Sequence, residues 1–142
     1  MAGMVRSERQ RIAAYGIVQD EAGRLLLARA SSSLTIKGRW FLPGGGVDHG
    51  ENPPDALRRE IEEESGLTVT VGPLLDVLSD VRILPEGLSL HTIRLIYRVE
   101  DWKGTLRPEA NGTTDGVEWF APEQLASLPL AHYVETVVDS LL

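Results

Sequence analysis

GGVDHGENPPDALRREIEEESGL, running from Gly45 to Leu67, is the stretch on which the reading of this chain turns. Asn52-Pro53-Pro54-Asp55 is a strong helix start. Asn52 suits the N-cap, Pro53 the first helical position, and Asp55 the positive end of the helix dipole. The helix is predicted to run to about Ser65 and to stop at Gly66, a favoured residue just past a helix end. On that helix Glu60, Glu63 and Glu64 are i, i+3 and i+4 neighbours within roughly 100° of arc. Leu57 and Ile61 edge the arc and point to the core, whereas Arg58 and Glu62 face solvent. Two like charges ~6 Å apart repel by roughly 3 kcal/mol at an effective dielectric of 20. Arg59 offsets part of this. A hard divalent cation offsets more, because carboxylate oxygens are what Mg²⁺ and Mn²⁺ prefer. A solvated acidic face balanced by Arg58 and Arg59 is the alternative at this point.

The segments on either side place this motif in a mixed α/β chain. Upstream, Trp40-Phe41-Leu42 is a short apolar segment that ends at Pro43-Gly44-Gly45-Gly46, read as a glycine loop, and residues 31–39 form a polar loop. Arg11 to Ala30 reads as two strands joined as a hairpin across Asp20-Glu21-Ala22-Gly23, with near-continuous apolarity that implies burial on both faces. Downstream, Leu67–Val71 and Leu74–Leu78 are strand segments around Gly72-Pro73, and Leu84–Gly87 is a turn. His91–Val99 is a strand with His91, Ile93, Leu95, Tyr97 and Val99 on one face and Thr92, Arg94, Ile96 and Arg98 on the other. Val117–Phe120 is a further strand, Ala121-Pro122-Glu123-Gln124-Leu125 opens a short helix, and Tyr133–Leu142 is a final amphipathic helix. Interleaved strands and helices imply a mixed sheet with helices packed on it.

The 142 residues suit one domain, residues 1–142, with a core that needs no staples. With no cysteine there is no disulfide, thiol nucleophile or thiolate metal site, and a reducing cytoplasm is the expected setting. Met1–Arg11 is basic but is followed by no apolar region, so no signal peptide is expected. No run approaches the ~20 apolar residues that span a bilayer, so no membrane partner is expected. A net charge of −7 argues against nucleic acid as a partner. It does not exclude a small anion, because a divalent cation inverts the local field.

Gly45, Glu51, Arg59-Glu60, Ile61, Glu63-Glu64 and Gly66-Leu67 together resemble the Nudix box, Gly-x5-Glu-x7-Arg-Glu-U-x-Glu-Glu-x-Gly-U, with U a bulky aliphatic residue. Every fixed position is matched. The resemblance extends more loosely to Gly38–Gly44 and to Glu118-Trp119-Phe120 followed by Pro122–Leu125. It implies an α/β/α sandwich with a central mixed β-sheet and a loop–helix–loop catalytic motif. It also implies Mg²⁺-dependent hydrolysis of a nucleoside diphosphate linked to a moiety X, a nucleoside triphosphate or a nucleotide conjugate, with Mn²⁺ able to substitute. In that setting Glu60, Glu63 and Glu64 are the implied metal ligands and Gly44 a backbone ligand. Arg59 is the implied orienter of the glutamates. The general base is one of the three glutamates or an acid from another loop. Glu51 either caps the loop or joins the metal site through water, and Asp115 and Glu118 are the other candidates for an extra acid.

Arg29, Arg39, Arg94 and Arg98 are candidate phosphate contacts, and Tyr15, Trp40 and Trp119 candidate stacking faces for a base. For each, a surface salt bridge or a core position is the competing reading. His49, just before Gly50-Glu51, is read as an exposed loop histidine rather than a substrate contact, and His91 and His132 are given no metal role, since neither has a His or Cys neighbour at ligand spacing. No EF-hand loop and no Gly-Lys-Ser/Thr follow the glycines. The rival reading from another class is a Nudix-fold nucleotide sensor that binds without hydrolysing. The box leaves X open, and monomer and homodimer are equally open.

Overall fold

A computed structural model of the chain describes residues 5–31, 38–109, 112 and 114–142. Two sheets carry the strands. In the first, β1 (Ser7–Ile17), β4 (Gly44–Gly46), β5 (Thr68–Ile83) and β6 (Leu88–Lys103) lie in the order β4-β1-β6-β5. β1 and β6 are parallel, with Ser7 opposite Leu88 and Ile17 opposite Arg98. The other pairings are antiparallel, so this sheet is mixed. The second sheet is antiparallel, with β2 (Leu25–Ala30) between β3 (Trp40–Phe41) and β7 (Thr114–Phe120). Helix α1 (Pro53–Ser65) covers one side and α2 (His132–Leu141) the other.

Apolar alternation explains the layering. On one side Ala14, Val18, Leu26 and Tyr97 pack with Leu57 and Ile61 of α1. Their neighbours in sequence, Ala13, Tyr15, Leu25, Leu27 and Ile96, pack with Tyr133, Val134 and Val137 of α2. Successive strand residues point to opposite faces, so an unbroken apolar run marks a strand with a core on each side. Among the described residues, no helix is long and apolar enough to cross a membrane.

The two strands within Arg11–Ala30 are present, but their hairpin is not a paired ribbon. β1 joins one sheet and β2 the other, linked by the single bridge Gln19–Leu25. Asp20 holds the turn by accepting the Ala22 and Arg24 N–H groups at 3.0 and 2.8 Å. The segments on either side of Gly72-Pro73 are one 16-residue strand with register shifts between Thr70 and Asp76, which absorb the proline. The Leu84–Gly87 turn closes β5 onto β6. Gly44–Gly46 is a short edge strand against β1 rather than a loop. Residues 32–37 of the expected polar loop lie outside the described residues.

Helix α1 starts after Asn52 and ends before Gly66, within a residue of expectation. The Asn52 side chain makes no cap bond, so only its carbonyl serves, accepting the Ala56 N–H at 3.0 Å. Gly66 is left-handed at φ 80° and donates to the Glu62 carbonyl at 2.9 Å. A β-carbon there would also meet the Arg107 side chain at 2.6 Å.

Candidate active site

The helix stripe that carries Leu57 and Ile61 into the core also fixes the depth of the glutamates. Glu64 is 2% exposed, while the side chains of Glu60 and Glu63 are 18% and 51% exposed. The three acids therefore form a gradient from core to solvent rather than one uniform face. Glu64 accepts the Gly44 N–H at 2.7 Å. The Glu60 carboxyl lies against Gly45, where a β-carbon would stand 2.7 Å from its Cδ. Any side chain at position 45 would evict it, which is the physical reason for glycine there.

Arg59 is the hub that aligns this cluster. Its Nε and Nη2 donate to the two Glu51 oxygens at 3.0 and 2.9 Å. Nη1 donates to Glu60 at 3.1 Å and to Glu63 at 3.5 Å, and Nη2 also reaches the Gly46 carbonyl at 3.2 Å. Glu51 thus locks the arginine, and the arginine holds Glu60. The Arg59 hydrogen bond keeps the Glu51 carboxyl below the usual carboxylate range, and Glu51 in turn raises Arg59.

Burial drives the other two acids the opposite way. Glu64 is pushed well above the ordinary carboxylate range by desolvation, with the Gly44 N–H opposing and the charges of Glu60, Glu109 and Glu63 adding to the rise. Glu60 is also raised, first by desolvation, with Arg59 opposing and Glu63 and Glu109 adding. A buried carboxylate with one backbone N–H for company is costly unless a cation neutralises it. Among the described residues, no three acidic or histidine side chains close around a single point. Glu60 and Glu64 supply a partial, all-oxygen donor set. That fits Mg²⁺, which is held by one or two carboxylates and completes its shell with water and substrate phosphates.

These groups line a cavity of about 670 Å³, within the usual range for a small-molecule site. Glu60, Glu64 and Gly44–Gly46 form one end. Tyr15, Phe41 and Tyr133 give it an aromatic wall, and Arg11, Arg82 and Arg94 with Asp80 a charged one. The Arg94 guanidinium lies 4.6 Å from the centre of the Tyr133 ring and donates to Asp80 at 2.6 Å. The Tyr133 hydroxyl accepts the Leu42 N–H at 3.2 Å, and burial raises its pKa well above the ordinary value.

Of the residues that the sequence marks as candidates, Glu60, Glu64, Gly44, Tyr15 and Arg94 line the cavity, and Glu51, Arg59 and Glu63 stand around it. The others are not part of its lining. Trp40 is buried and packs edge-on against Phe120 at 4.8 Å, so it is a core residue and not a stacking face. Arg29 pairs with Asp115 at 2.7 Å and sits 5.5 Å from the Trp40 ring, which takes both charges away from the cavity. Arg39 donates to the Leu130 carbonyl at 3.0 Å. Trp119 packs on Trp102 at 5.0 Å, and Glu118 is exposed on β7. Glu109, which no sequence pattern singles out, is the acid whose charge reaches Glu60 and Glu64. It accepts from the Thr114 hydroxyl at 2.9 Å.

Hydrolytic sites built from a glycine strand and a glutamate helix on this sandwich define a recognised class, and the chain matches the model of the NUDIX domain over residues 9–140. It belongs to the Nudix family, and is a hydrolase of phosphoanhydride bonds. It is 33% identical over 127 residues to the nucleoside triphosphatase NudI of Enterobacter sp. (strain 638), covering 86% of this chain and 89% of that one. It is 28% identical over 130 residues to a MutT-like protein of Streptomyces ambofaciens, covering 92% and 76%. Among solved structures, the MutT NUDIX hydrolase from Burkholderia pseudomallei superposes with a TM-score of 0.81 at 28% identity, covering 94% of this chain and 99% of that one.

Proposed function

We propose that the chain is a Mg²⁺-dependent pyrophosphohydrolase, a single domain that cleaves a nucleoside diphosphate linked to a moiety X, with nucleoside triphosphates as the leading substrates. The observation that carries this reading is the buried Glu64 beside Glu60 against the glycine strand, at one end of a cavity of substrate size. The name of the NudI relative supports the choice of triphosphates. The lack of cysteine fits a reducing compartment such as the cytoplasm.

Glu60 and Glu64 would hold the metal, with Glu63 joining from the solvent side and the Gly44 carbonyl as backbone donor. When bound, Mg²⁺ supplies polarisation of the phosphoryl oxygens and acidification of a water. Arg59, anchored by Glu51, fixes the Glu60 carboxylate so that little reorganisation is needed as the reaction proceeds. One of the three glutamates, or Glu109, whose charge reaches Glu60 and Glu64 from outside the helix, would accept the proton of the attacking water. Tyr15, Phe41 and Tyr133 offer the apolar face that a base requires.

Incubating the protein with Mg²⁺ and a panel of nucleoside triphosphates and diphosphate conjugates tests this. The expected result is release of pyrophosphate, phosphate or a nucleoside monophosphate. Saturable nucleotide binding without turnover across the panel would point instead to a sensor.

A further inference from the structure

Strand register gathers a set of arginines that are far apart in sequence. Arg11, Thr92 and Asp80 form one row across β1, β6 and β5; Arg9, Leu90 and Arg82 form the next, and Ala13, Arg94 and Leu78 the one before. Residues in register share a face, and residues two apart along a strand do too. Arg11, Arg82 and Arg94 therefore project from the same side of the sheet, and all three line the cavity. Arg94 is committed to Asp80 and Tyr133. Arg11 and Arg82 make no ion pair or hydrogen bond with any described residue. Two guanidinium groups with no ion pair among the described residues, on one cavity wall, form an anion-attracting end.

Arg11 is the nearer of the two to the carboxylates. Its Nη2 lies 3.5 Å from where a β-carbon of Gly46 would stand, while the Glu60 carboxyl occupies the corresponding space at Gly45. Adjacent strand residues point to opposite faces, so the acid and the guanidinium flank the glycine strand from its two sides. With no side chains at 44–46, an anionic chain can cross over this edge strand and touch both.

We propose that Arg11, backed by Arg82, binds the terminal phosphate beyond the two held at the Glu60–Glu64 end, so that the site selects nucleoside triphosphates over nucleoside diphosphates. This rests on the reading of the cavity as the nucleotide site, and it adds the residues that count phosphates. The guanidinium is suited to the task, since it stays charged and donates in a fork that matches phosphate oxygens.

Calorimetric binding of a non-hydrolysable nucleoside triphosphate and of the matching diphosphate analogue, both with Mg²⁺, tests it without relying on turnover. The wild-type protein is expected to prefer the triphosphate. Arg11→Gln is expected to weaken triphosphate binding by about tenfold or more, the loss of one charge-assisted hydrogen bond, and diphosphate binding by less than about threefold. Arg82→Gln is expected to act in the same sense but less, and Arg11→Lys to recover part of the loss. Arg98→Gln removes the same charge from a position outside the cavity and is the control. Thermal melts verify that each variant folds. Equal losses for the two ligands, or no loss in Arg11→Gln, overturn the proposal while leaving the nucleotide site intact. A wild-type protein that binds neither analogue overturns both readings.

Discussion

The two ends of the cavity are built by different means. The acidic end comes from one helix and a glycine strand, with Glu60, Glu63 and Glu64 spaced by helical geometry and Arg59 beside them. The basic end comes from three strands, with Arg11, Arg94 and Arg82 brought together by β1–β6 and β6–β5 register. A local constellation has a linear signature. A constellation made by pairing strands distant in the chain has none, because Arg11 lies far in sequence from Arg82 and Arg94 and nothing in that spacing specifies the β1–β6 register. The acidic end carries buried carboxylates, the basic end two arginines, Arg11 and Arg82, without an ion pair among the described residues, and a polyanion carrying divalent metal suits both at once.

The sharpest way to break this comparison is at the deepest acid. Glu64→Gln keeps the oxygen that accepts the Gly44 N–H but removes the charge, and turnover is expected to fall by at least ~100-fold in steady-state assays. Glu63→Gln is expected to cost distinctly less, since Glu63 is half exposed and reaches Arg59 only at 3.5 Å. Equal losses would restore the picture of a uniform acidic face.

A smaller effect should appear in the metal-free protein as a dependence of stability on pH. Burial raises Glu64 in the folded state above its ordinary value of 4.5, so folding favours its protonated form. That contribution is fully present below about pH 4.5 and is lost as pH rises through the folded-state value. Melting temperatures without metal are therefore expected to fall as pH rises above about 4.5 and to recover on adding Mg²⁺. In Glu64→Gln both the slope and the metal response should shrink. A flat wild-type profile would mean that Glu64 is already neutralised within the protein. The smallest effect is expected at Glu62, which faces solvent on the opposite side of α1. Glu62→Gln should leave turnover and melting nearly unchanged.

The helix, its glycine stop, the apolar strands with a core on each side and the position of the glutamates are legible in the sequence, because each depends on neighbours within one turn or one strand. Three features are not. The Arg11–Ala30 hairpin divides between two sheets, and the apolar pattern of β1 and β2 is the same whichever sheet each joins. Trp40 and Trp119 carry no linear mark that separates a core ring from an exposed one, and both pack on other aromatics. For an extra acid the sequence points to the right region but to Asp115 and Glu118. Asp115 pairs with Arg29 at 2.7 Å, whereas Glu109, a few residues earlier, is an acid whose charge adds to the rise at Glu60 and Glu64.

Turnover measured after chelation and then across a Mg²⁺ titration, in the wild-type protein and Glu64→Gln side by side, tests the central claim most directly. The wild-type protein is expected to be inactive after chelation and to regain turnover saturably with Mg²⁺, while Glu64→Gln stays at least ~100-fold lower at every concentration. Full activity after chelation, or a Glu64→Gln variant that matches wild type once Mg²⁺ is added, would contradict the assignment of this buried carboxylate to a metal-dependent hydrolytic site.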